Sequence, residues 1–349
     1  MGKAESTVRL TKLGIGIAFC GLLGAATIEK VAGGDQPPGG PANVTSIDKP
    51  MGVVFDQDGN WYIAEWHRNR IVKVDKRGIT SIFAGNGDPV YAGDGGPAIK
   101  ASFGLPHDTV IGNGILYFAD VTNATTRAID LKTGIITTVA GTGEKGFSGD
   151  GGPAKAAKFT FPVGLSLSPD NKRLYIADMN GGYVRMVTLA TGIVTPVAGN
   201  GARAVPQDGA VAVGSPLVGP RGTREDSKGN LYIMEQGGNA LRVVNKEGRI
   251  RTILGPGIEP ALNQPKEAVI DRKGDLLFID SQHGMIRKYS PATGKTSVVV
   301  GTGENGTRLV PNDPLQTQLN QPHFLYIDPA SGDLYIADCF NDRVLRLRE

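Results

Sequence analysis

The sequence predicts an all-β protein, a six-bladed β-propeller with four antiparallel strands in each blade. One unit recurs six times after the first 26 residues, each copy carries four short runs of β-branched and aromatic residues, and glycine makes up 50 of the 349 residues. Four strands per repeat are typical of a propeller blade. A glycine share roughly twice the usual one suits many tight turns between short strands, and the lack of a Gly-X-Y period excludes collagen.

Residues 1–26 have the layout of a secretory signal peptide. Three basic residues precede an apolar run, Leu13–Ile28, and small residues up to Ala26 offer a cleavage site. The run is shorter than the roughly 20 residues that a membrane-spanning helix needs. We therefore expect residues 27–349 to form a mature protein that is periplasmic or extracellular and has no membrane span.

Each repeat opens with a proline and an apolar run, passes through an acidic glycine turn into a Tyr-Ile-Ala-Asp-like strand, and ends in a basic strand and a threonine-rich strand. Blades are therefore expected to start near the following residues: Pro50, Pro106, Pro162, Pro220, Pro265 and Pro322. The sixth copy stops after its third strand, at Arg343–Glu349, whereas residues 27–34 look like a fourth strand without a blade. Pairing them would complete blade six, close the ring and remove exposed sheet edges.

Charge and cysteine content exclude several classes of function. A formal net charge of +3 and the lack of an aromatic and basic array argue against nucleic-acid binding. Cys20 and Cys339 are the only cysteines, too few for a disulfide scaffold or a cysteine zinc cluster. We also expect the mature protein to be a monomer.

Six residues are predicted to meet at one mouth of the central channel. The innermost strand of each blade lines the channel, and the residue after each opening proline stands at its rim: Met51, His107, Val163, Arg221, Lys266 and His323. Four donors converge there, with Asp108 and Glu267 beside them as proton acceptors. We expect the histidines to titrate near a pKa of about 6.5 and Arg221 and Lys266 to be charged, so that the rim attracts anions more strongly as the pH falls.

Blade four places charges in a strand that is apolar in the other blades, since its inner strand reads GTRED at Gly222–Asp226. Arg224 and Glu225 point to opposite faces by strand alternation. Each is expected to find a counter-charge or to face the channel, because an unpaired buried charge costs several kcal/mol. A structural ion pair, a register shift and a ligand-binding role for both residues all remain open.

An acidic residue ends every second strand, as follows: Glu65, Asp120, Asp178, Glu235, Asp280 and Asp338. Because it recurs in every copy, we interpret it as an acceptor that the blade itself needs for turn amides and a nearby Arg or Asn. A calcium or catalytic ring is therefore not predicted from these residues.

The repeats resemble the NHL-repeat family of six-bladed propellers, over essentially all of residues 27–349. The motifs that carry the resemblance are ITTVAGTGEKGFSGDGGPA at Ile136–Ala154, AEWHRNRIV at Ala64–Val72 and ADCFNDRVLR at Ala337–Arg346, and the first is particularly similar to bacterial exported members. The resemblance implies the fold but not one function, because the family includes binding scaffolds, sensor domains and enzymes.

Two short elements, LPHD around His107 and QPHF around His323, are similar to the Pro-His elements that supply zinc ligands in the propeller lyase acting on peptidyl-hydroxyglycine. That lyase uses three such histidines, whereas this chain has Arg221 at the third alternate position. The resemblance leaves open a divalent metal, zinc or calcium, held by the two histidines, a direct acid–base or ligand role for them, and a structural role.

Two hypotheses follow for function. The leading one is an exported, non-enzymatic propeller that binds a protein, peptide or glycan on one face of a rigid ring. The alternative is a lyase or hydrolase whose rim of His107, Arg221, Lys266 and His323 holds a small anionic substrate while one histidine moves a proton, with or without a metal.

Overall fold

A computed structural model describes residues 26–348, so the predicted signal peptide lies almost entirely outside the described residues. Within this range the strands form six four-stranded antiparallel sheets. No helix among residues 26–348 is long and apolar enough to cross a membrane.

The strands follow one another blade by blade, from the channel outward. Blade one contains β2 (Pro50–Phe55), β3 (Trp61–Glu65), β4 (Arg70–Val74) and β5 (Thr80–Ala84). Blade two contains β6 (Pro106–Gly112), β7 (Ile115–Asp120), β8 (Thr125–Asp130) and β9 (Ile136–Ala140). Blade three contains β10 (Pro162–Leu167), β11 (Arg173–Asp178), β12 (Tyr183–Thr188) and β13 (Ile193–Gly199). Blade four contains β14 (Pro220–Glu225), β15 (Leu231–Glu235), β16 (Ala240–Val244) and β17 (Ile250–Leu254).

Blade five contains β18 (Pro265–Ile270), β19 (Leu276–Asp280), β20 (Met285–Ser290) and β21 (Lys295–Val300). Blade six contains β22 (Phe324–Ile327), β23 (Leu334–Asp338), β24 (Arg343–Arg348) and β1 (Thr27–Ala32). Short 3-10 turns lie at Ala42–Val44, Ala98–Lys100, Ala154–Ala156, Pro314–Gln316 and Cys339–Asn341.

The predicted closure of the ring is confirmed. Strand β1 pairs antiparallel with β24, with Thr27 opposite Arg348 and Ile28 opposite Leu347, and the Ile28 side chain is fully buried. Blade six differs from expectation in one detail, because its inner strand begins at Phe324 and not at the opening proline.

The hydrophobic core lies between neighbouring blades. Phe103 and Phe118 of blade two, for example, pack with ring centroids 4.7 Å apart in a cluster that also holds Ile63 and Ile71 of blade one. Burying such apolar faces against each other is what holds the blades in a ring, since each sheet alone would expose one of them.

The inner strands of blades one to five are irregular just after their opening prolines. The strand register shifts there, for example between Pro162 and Gly164, so that an extra residue is turned out of the ladder. A Cβ atom on Gly164 would overlap the carbonyl oxygen of Arg221 in the next blade, which explains the glycine. At the position of Gly164, blades two and five carry Asp108 and Glu267 instead of glycine. These two carboxyl residues form part of the site described next.

Candidate functional site

The residues predicted to meet at the channel mouth do lie together. Arg221 Nη2 is 3.2 Å from both ring nitrogens of His107, and Lys266 Nζ is 2.8 Å from Nε2 of His323. The two imidazole rings, from blades two and six, have centroids 6.1 Å apart. The strand irregularity after each proline places these side chains at the axis, so residues from four blades form one polar layer.

A second layer, one residue further along the strands, contains the two carboxyl groups. Asp108 accepts hydrogen bonds from Arg221 Nη1 at 3.2 Å and from the Leu165 backbone N–H at 3.3 Å. Glu267 accepts the backbone N–H of Ala268 at 3.0 Å through Oε1, and its carboxyl group is hydrogen-bonded to that of Asp108. Sequence reasoning placed these carboxyl groups beside the rim, and the structure places them beneath it.

Both layers are closed off from solvent. Relative exposure is only 6% for His107, 2% for Arg221, 3% for Lys266 and 7% for His323. The site is therefore a buried polar plug across the channel, and its upper surface is formed mainly by the edges of the two histidines.

Two aromatic residues flank those histidines and were missed by the sequence analysis. The Trp66 ring meets His107 edge to face with centroids 6.2 Å apart, and the Phe340 ring stacks on His323 at 6.1 Å. The Trp66 Nε1–H is buried and has no hydrogen-bond partner among residues 26–348. Trp66 directly follows the second strand of its blade, where blade four carries Gln236, and that contrast between repeats is the signal that could have revealed it.

The expectation that the histidines titrate near 6.5 is wrong. Burial, together with the nearby charge of Arg221, lowers the pKa of His107 to about 4. Burial and Lys266 hold the pKa of His323 well below its ordinary value. Both rings are therefore neutral at pH 7, because protonation would place another cation in a dry site that already contains Arg221.

The charges of the other groups follow from the same causes. Burial, reinforced by Arg221, lowers the pKa of Lys266 to about 7, so the expectation of a fully charged lysine is also wrong. Burial raises the pKa of Asp108, but Arg221 and His107 together bring it below its ordinary value. Burial and the neighbouring Asp108 raise the pKa of Glu267 well above its ordinary value, which favours its protonated form.

Hydrogen bonds fix the proton positions on the two imidazoles. His323 Nδ1 lies 2.8 Å from the Gln321 carbonyl oxygen, which can only accept, so Nδ1 carries the proton and Nε2 accepts from Lys266. His107 Nδ1 lies 3.0 Å from the Asp108 carboxylate and donates to it. His107 Nε2 is thus the ring nitrogen that accepts from Arg221 Nη2, at 3.2 Å.

The residues do not fit the metal site that the Pro-His resemblance left open. Across residues 26–348, no group of three or more His, Cys, Asp or Glu side chains is placed to hold a metal ion. Arg221 and Lys266 contact the two imidazoles where a cation would have to approach. Neither zinc nor calcium is supported by this donor set.

Arg224 and Glu225 each find a partner, as expected from the cost of burying a charge. Arg224 donates from Nε to the Ala268 carbonyl at 2.9 Å, and Glu225 accepts from Arg173 Nη2 and from Tyr175 Oη, both at 3.0 Å. Both residues line a cavity at the opposite end of the channel. They therefore do not share a site with Arg221.

Comparison with known proteins agrees with the repeat pattern. No protein-family model matches the chain. NHL repeat-containing protein 2 from Gallus gallus is 26% identical over 336 residues, which cover 84% of this chain and 46% of that protein. The Homo sapiens protein of the same name is 24% identical over 335 residues, again 84% of this chain and 46% of the relative. The chain has the NHL-repeat propeller fold. It spans less than half the length of these relatives.

Solved structures similar to this NHL-repeat propeller include binding proteins and enzymes. An auxiliary nutrient binding protein from Bacteroides thetaiotaomicron superposes with a TM-score of 0.67 at 14% identity, over 92% of this chain and 76% of that one. Virginiamycin B lyase from Staphylococcus aureus superposes with a TM-score of 0.56 at 17% identity, over 93% of this chain and 99% of that one. At such identities the similarity establishes the fold alone.

Proposed function

We propose that this NHL-repeat propeller is an exported binding module that holds a protein, peptide or glycan on the face where the inner strands begin. The observation that carries the proposal is the pair of aromatic residues, Trp66 and Phe340, against the two neutral histidines at the axis. Phe340 is 40% exposed. Aromatic rings beside a few fixed polar groups are typical of recognition sites.

The polar side chains at the axis determine which chemical groups a ligand must present to this face. The imidazole of His107 is held by Asp108 and Arg221, and the Trp66 ring lies against it. Lys266 lies just below and becomes positively charged as the pH falls through about 7. A ligand with hydroxyl or carboxylate oxygens and a flat or apolar face meets these requirements, and one with a carboxylate should bind more tightly below pH 7.

The test is a screen of the purified chain against glycan and peptide arrays, followed by calorimetry with the best ligand. Trp66→Ala and Phe340→Ala should each weaken binding by about tenfold or more, the loss expected for an aromatic anchor. Ile82→Ala, at an exposed position on the outermost strand of blade one, is the control and should bind as the wild type does. Unchanged affinity in both aromatic variants would reject this face as the site.

Export is supported by the sequence of residues 1–26. Expression in a bacterial host followed by fractionation should recover a chain that starts near Thr27 outside the cytoplasm. A variant with Asp in place of Leu22, inside the apolar run, should instead accumulate with its N-terminus intact. A wild-type chain recovered from the cytoplasm and starting at Met1 would contradict export.

A lyase or hydrolase is the second candidate, and one observation favours it. Asp108 orients the neutral ring of His107, as a carboxylate does for a general base, and use of Nε2 as a base requires a substrate to displace Arg221 Nη2, which contacts it at 3.2 Å. Mass spectrometry of the best ligand after incubation with the protein separates the two candidates. A binding module returns the ligand unchanged, whereas an enzyme converts it and loses that activity, but not ligand binding, in His107→Ala.

A further inference from the structure

Five of the six blades have a covered outer edge. The connection that leads into each of these blades first runs along the blade's outermost strand and accepts one of its backbone N–H groups at 2.8–3.0 Å. The donors, in blades one, two, three, four and six, are Thr80, Ile136, Val194, Ile250 and Ile28. Such covers remove the unpaired edge that would otherwise bind another strand.

Strand β21, the outermost strand of blade five, has no such cover among residues 26–348. The connection into blade five comprises only residues 255–264, about half the length of the connections 85–105 and 141–161 that cover blades two and three. The part that is missing is the part that forms the cover in those blades.

Thr296 occupies the position of the five donors in β21. It lies opposite Tyr289 of β20 as Ile136 lies opposite Ile129, so its backbone N–H and C=O point away from β20. Thr296 is half-buried, whereas the five donors are at most 1% exposed. The edge of β21 therefore presents backbone hydrogen-bonding groups that another extended segment can pair with.

The covers of blades two and three also supply an aspartate to an arginine on the third strand. Arg127 Nη2 lies 2.7 Å from Asp94, and Arg185 Nη2 lies 2.8 Å from Asp150. Asp94 also accepts the backbone N–H of Thr138, on the outermost strand of blade two, at 3.0 Å. The aspartate thus joins the cover to two strands of the blade that it protects.

Blade five has this arginine but not the aspartate. Arg287 donates from Nε to Asp280 of its own blade at 2.7 Å, and its two terminal nitrogens have no hydrogen bond among residues 26–348. Its side chain is 13% exposed, against 0% for Arg127. Blades one and six carry Val72 and Leu345 at this position, so the blade itself does not require an arginine there.

A glycine follows the aspartate in the covers of blades two, three and four. Gly95, Gly151 and Gly209 have φ values of 79°, 81° and 85°, in the left-handed region that favours glycine. Each donates its N–H to a carbonyl of the covered strand at 2.7–2.8 Å. An Asp-Gly pair is therefore the sequence that this kind of edge accepts.

We propose that the edge of β21 binds an extended segment of a partner protein that contains an aspartate followed by a glycine. The segment pairs with the backbone of Thr296, and its aspartate accepts from Arg287 and from the N–H of Val298, which stands at the position of Thr138. An acidic segment also suits β21 because this strand carries Lys295 and no acid. The site lies on the outside of the ring, so it is independent of the aromatic face at the axis.

A synthetic peptide with the sequence of Ala92–Lys100, AGDGGPAIK, is the probe, because this segment covers blade two in the intact chain. It is titrated into the purified chain up to millimolar concentration, and binding is followed by the NMR shifts of the backbone amides. The amides of Thr296 and Val298 should shift. A second peptide with asparagine in place of the aspartate should bind about tenfold or more weakly, as expected for a hydrogen bond to a charged group.

Arg287→Leu, which copies the residue of blade six, should remove the preference for the aspartate peptide. Arg251→Met, at an exposed arginine on the covered outermost strand of blade four, is the matched control and should keep it.

Thr296→Pro provides a second route that keeps Arg287 in place. It removes the N–H at the edge, and Pro196 in β13 shows that an outermost strand of this ring accommodates a proline. This variant should lose both peptides, which also decides the question if Arg287→Leu does not fold.

Failure of the wild type to bind either peptide, equal affinity for both, or shifts confined to amides outside β21 would each overturn the proposal. The wild-type preference in a folded Arg287→Leu variant, or wild-type binding by a folded Thr296→Pro variant, would do the same. Sedimentation of the wild type without peptide tests a second copy as the occupant. A dimer that Thr296→Pro dissociates would replace the partner segment with that second copy.

Discussion

Charged residues are buried in two regions of this propeller, and the two regions use them differently. In the blades, the acid that ends each second strand binds neighbouring groups of the same blade and its connections. Asp338, for example, accepts from Arg343 Nε at 2.7 Å and from the Asn320 backbone N–H at 2.7 Å, and Glu235 accepts from Arg242 Nε at 2.8 Å. These contacts recur around the ring because each blade needs them to fix its turns.

At the axis, by contrast, the buried ionisable groups occur in only some of the blades. Cations follow the opening proline in blades four and five, as Arg221 and Lys266, and carboxyl groups come one residue later in blades two and five, as Asp108 and Glu267. Their contacts join blades across the channel, as between Arg221 of blade four and Asp108 of blade two. In this ring, the charges that recur in every blade serve the architecture, whereas the axial groups, present in only some blades, are the candidates for ligand binding.

The largest effect is expected when the architecture itself is removed. Deletion of residues 27–34 takes β1 from blade six and exposes the backbone of β24, so the shortened chain should melt far below the intact one or fail to fold. Circular dichroism of both proteins during heating measures this difference. Coincident melting curves would show that the ring does not depend on its closing strand.

A smaller but still large effect is expected from a recurring blade acid. Asp338→Ala leaves the buried Arg343 without its carboxylate and the Asn320 N–H without its acceptor, and should lower the free energy of unfolding by about 3–5 kcal/mol. Urea denaturation of this variant is compared with that of Asp58→Ala, an exposed turn position where a change within about 0.5 kcal/mol is expected. Equal losses in the two variants would remove the distinction between blade acids and surface acids.

The third effect is expected at the axis and depends on pH, and within any one pH unit it is the smallest of the three. The folded pKa of Lys266, about 7, lies below the unfolded value of about 10.4, so between these values the unfolded chain binds a proton that the folded chain does not. Stability contributed by the neutral lysine is therefore gained as the pH rises through this window and lost as it falls. Relative to Lys266→Met, the wild type should gain up to about 1.4 kcal/mol per pH unit.

Urea denaturation of the two proteins at several pH values from 7 to 10 measures that difference. Lys228→Met, at an exposed turn, is the matched control and should follow the wild-type curve. Parallel curves for the wild type and Lys266→Met would contradict the burial of a neutral lysine at the axis.

The fold was predictable from the sequence because each repeat carries its own strands and turns, and because residues 27–34 had no other partner. The meeting of His107, Arg221, Lys266 and His323 was predictable as well, since equal positions in the repeats become neighbours around a ring. Arg224 lies three residues beyond Arg221, which is about 10 Å along a strand, so its separation from the rim could have been inferred from strand geometry alone.

The charge states of the ionisable side chains at the axis could not be predicted from the repeat pattern. The pKa values of His107 and Lys266 depend on how completely the channel is closed, and that closure comes from side chains of several blades packing together. The positions of Trp66 and Phe340 were hidden for a related reason, because each lies in a turn and contacts a histidine. Contacts of this kind have no periodic signature in the sequence.

The closing strand has a consequence for how the molecule is assembled. Arg346 binds Glu29, a residue 317 positions away in the chain, so the last sheet cannot form until the final strand has been synthesised. Joining segments so distant in sequence makes folding slow, because the entropy of a very large loop is lost before the pairing is gained. Two molecules that exchange their first strands would make the same hydrogen bonds as one molecule folding alone, so concentrated refolding favours strand-swapped dimers.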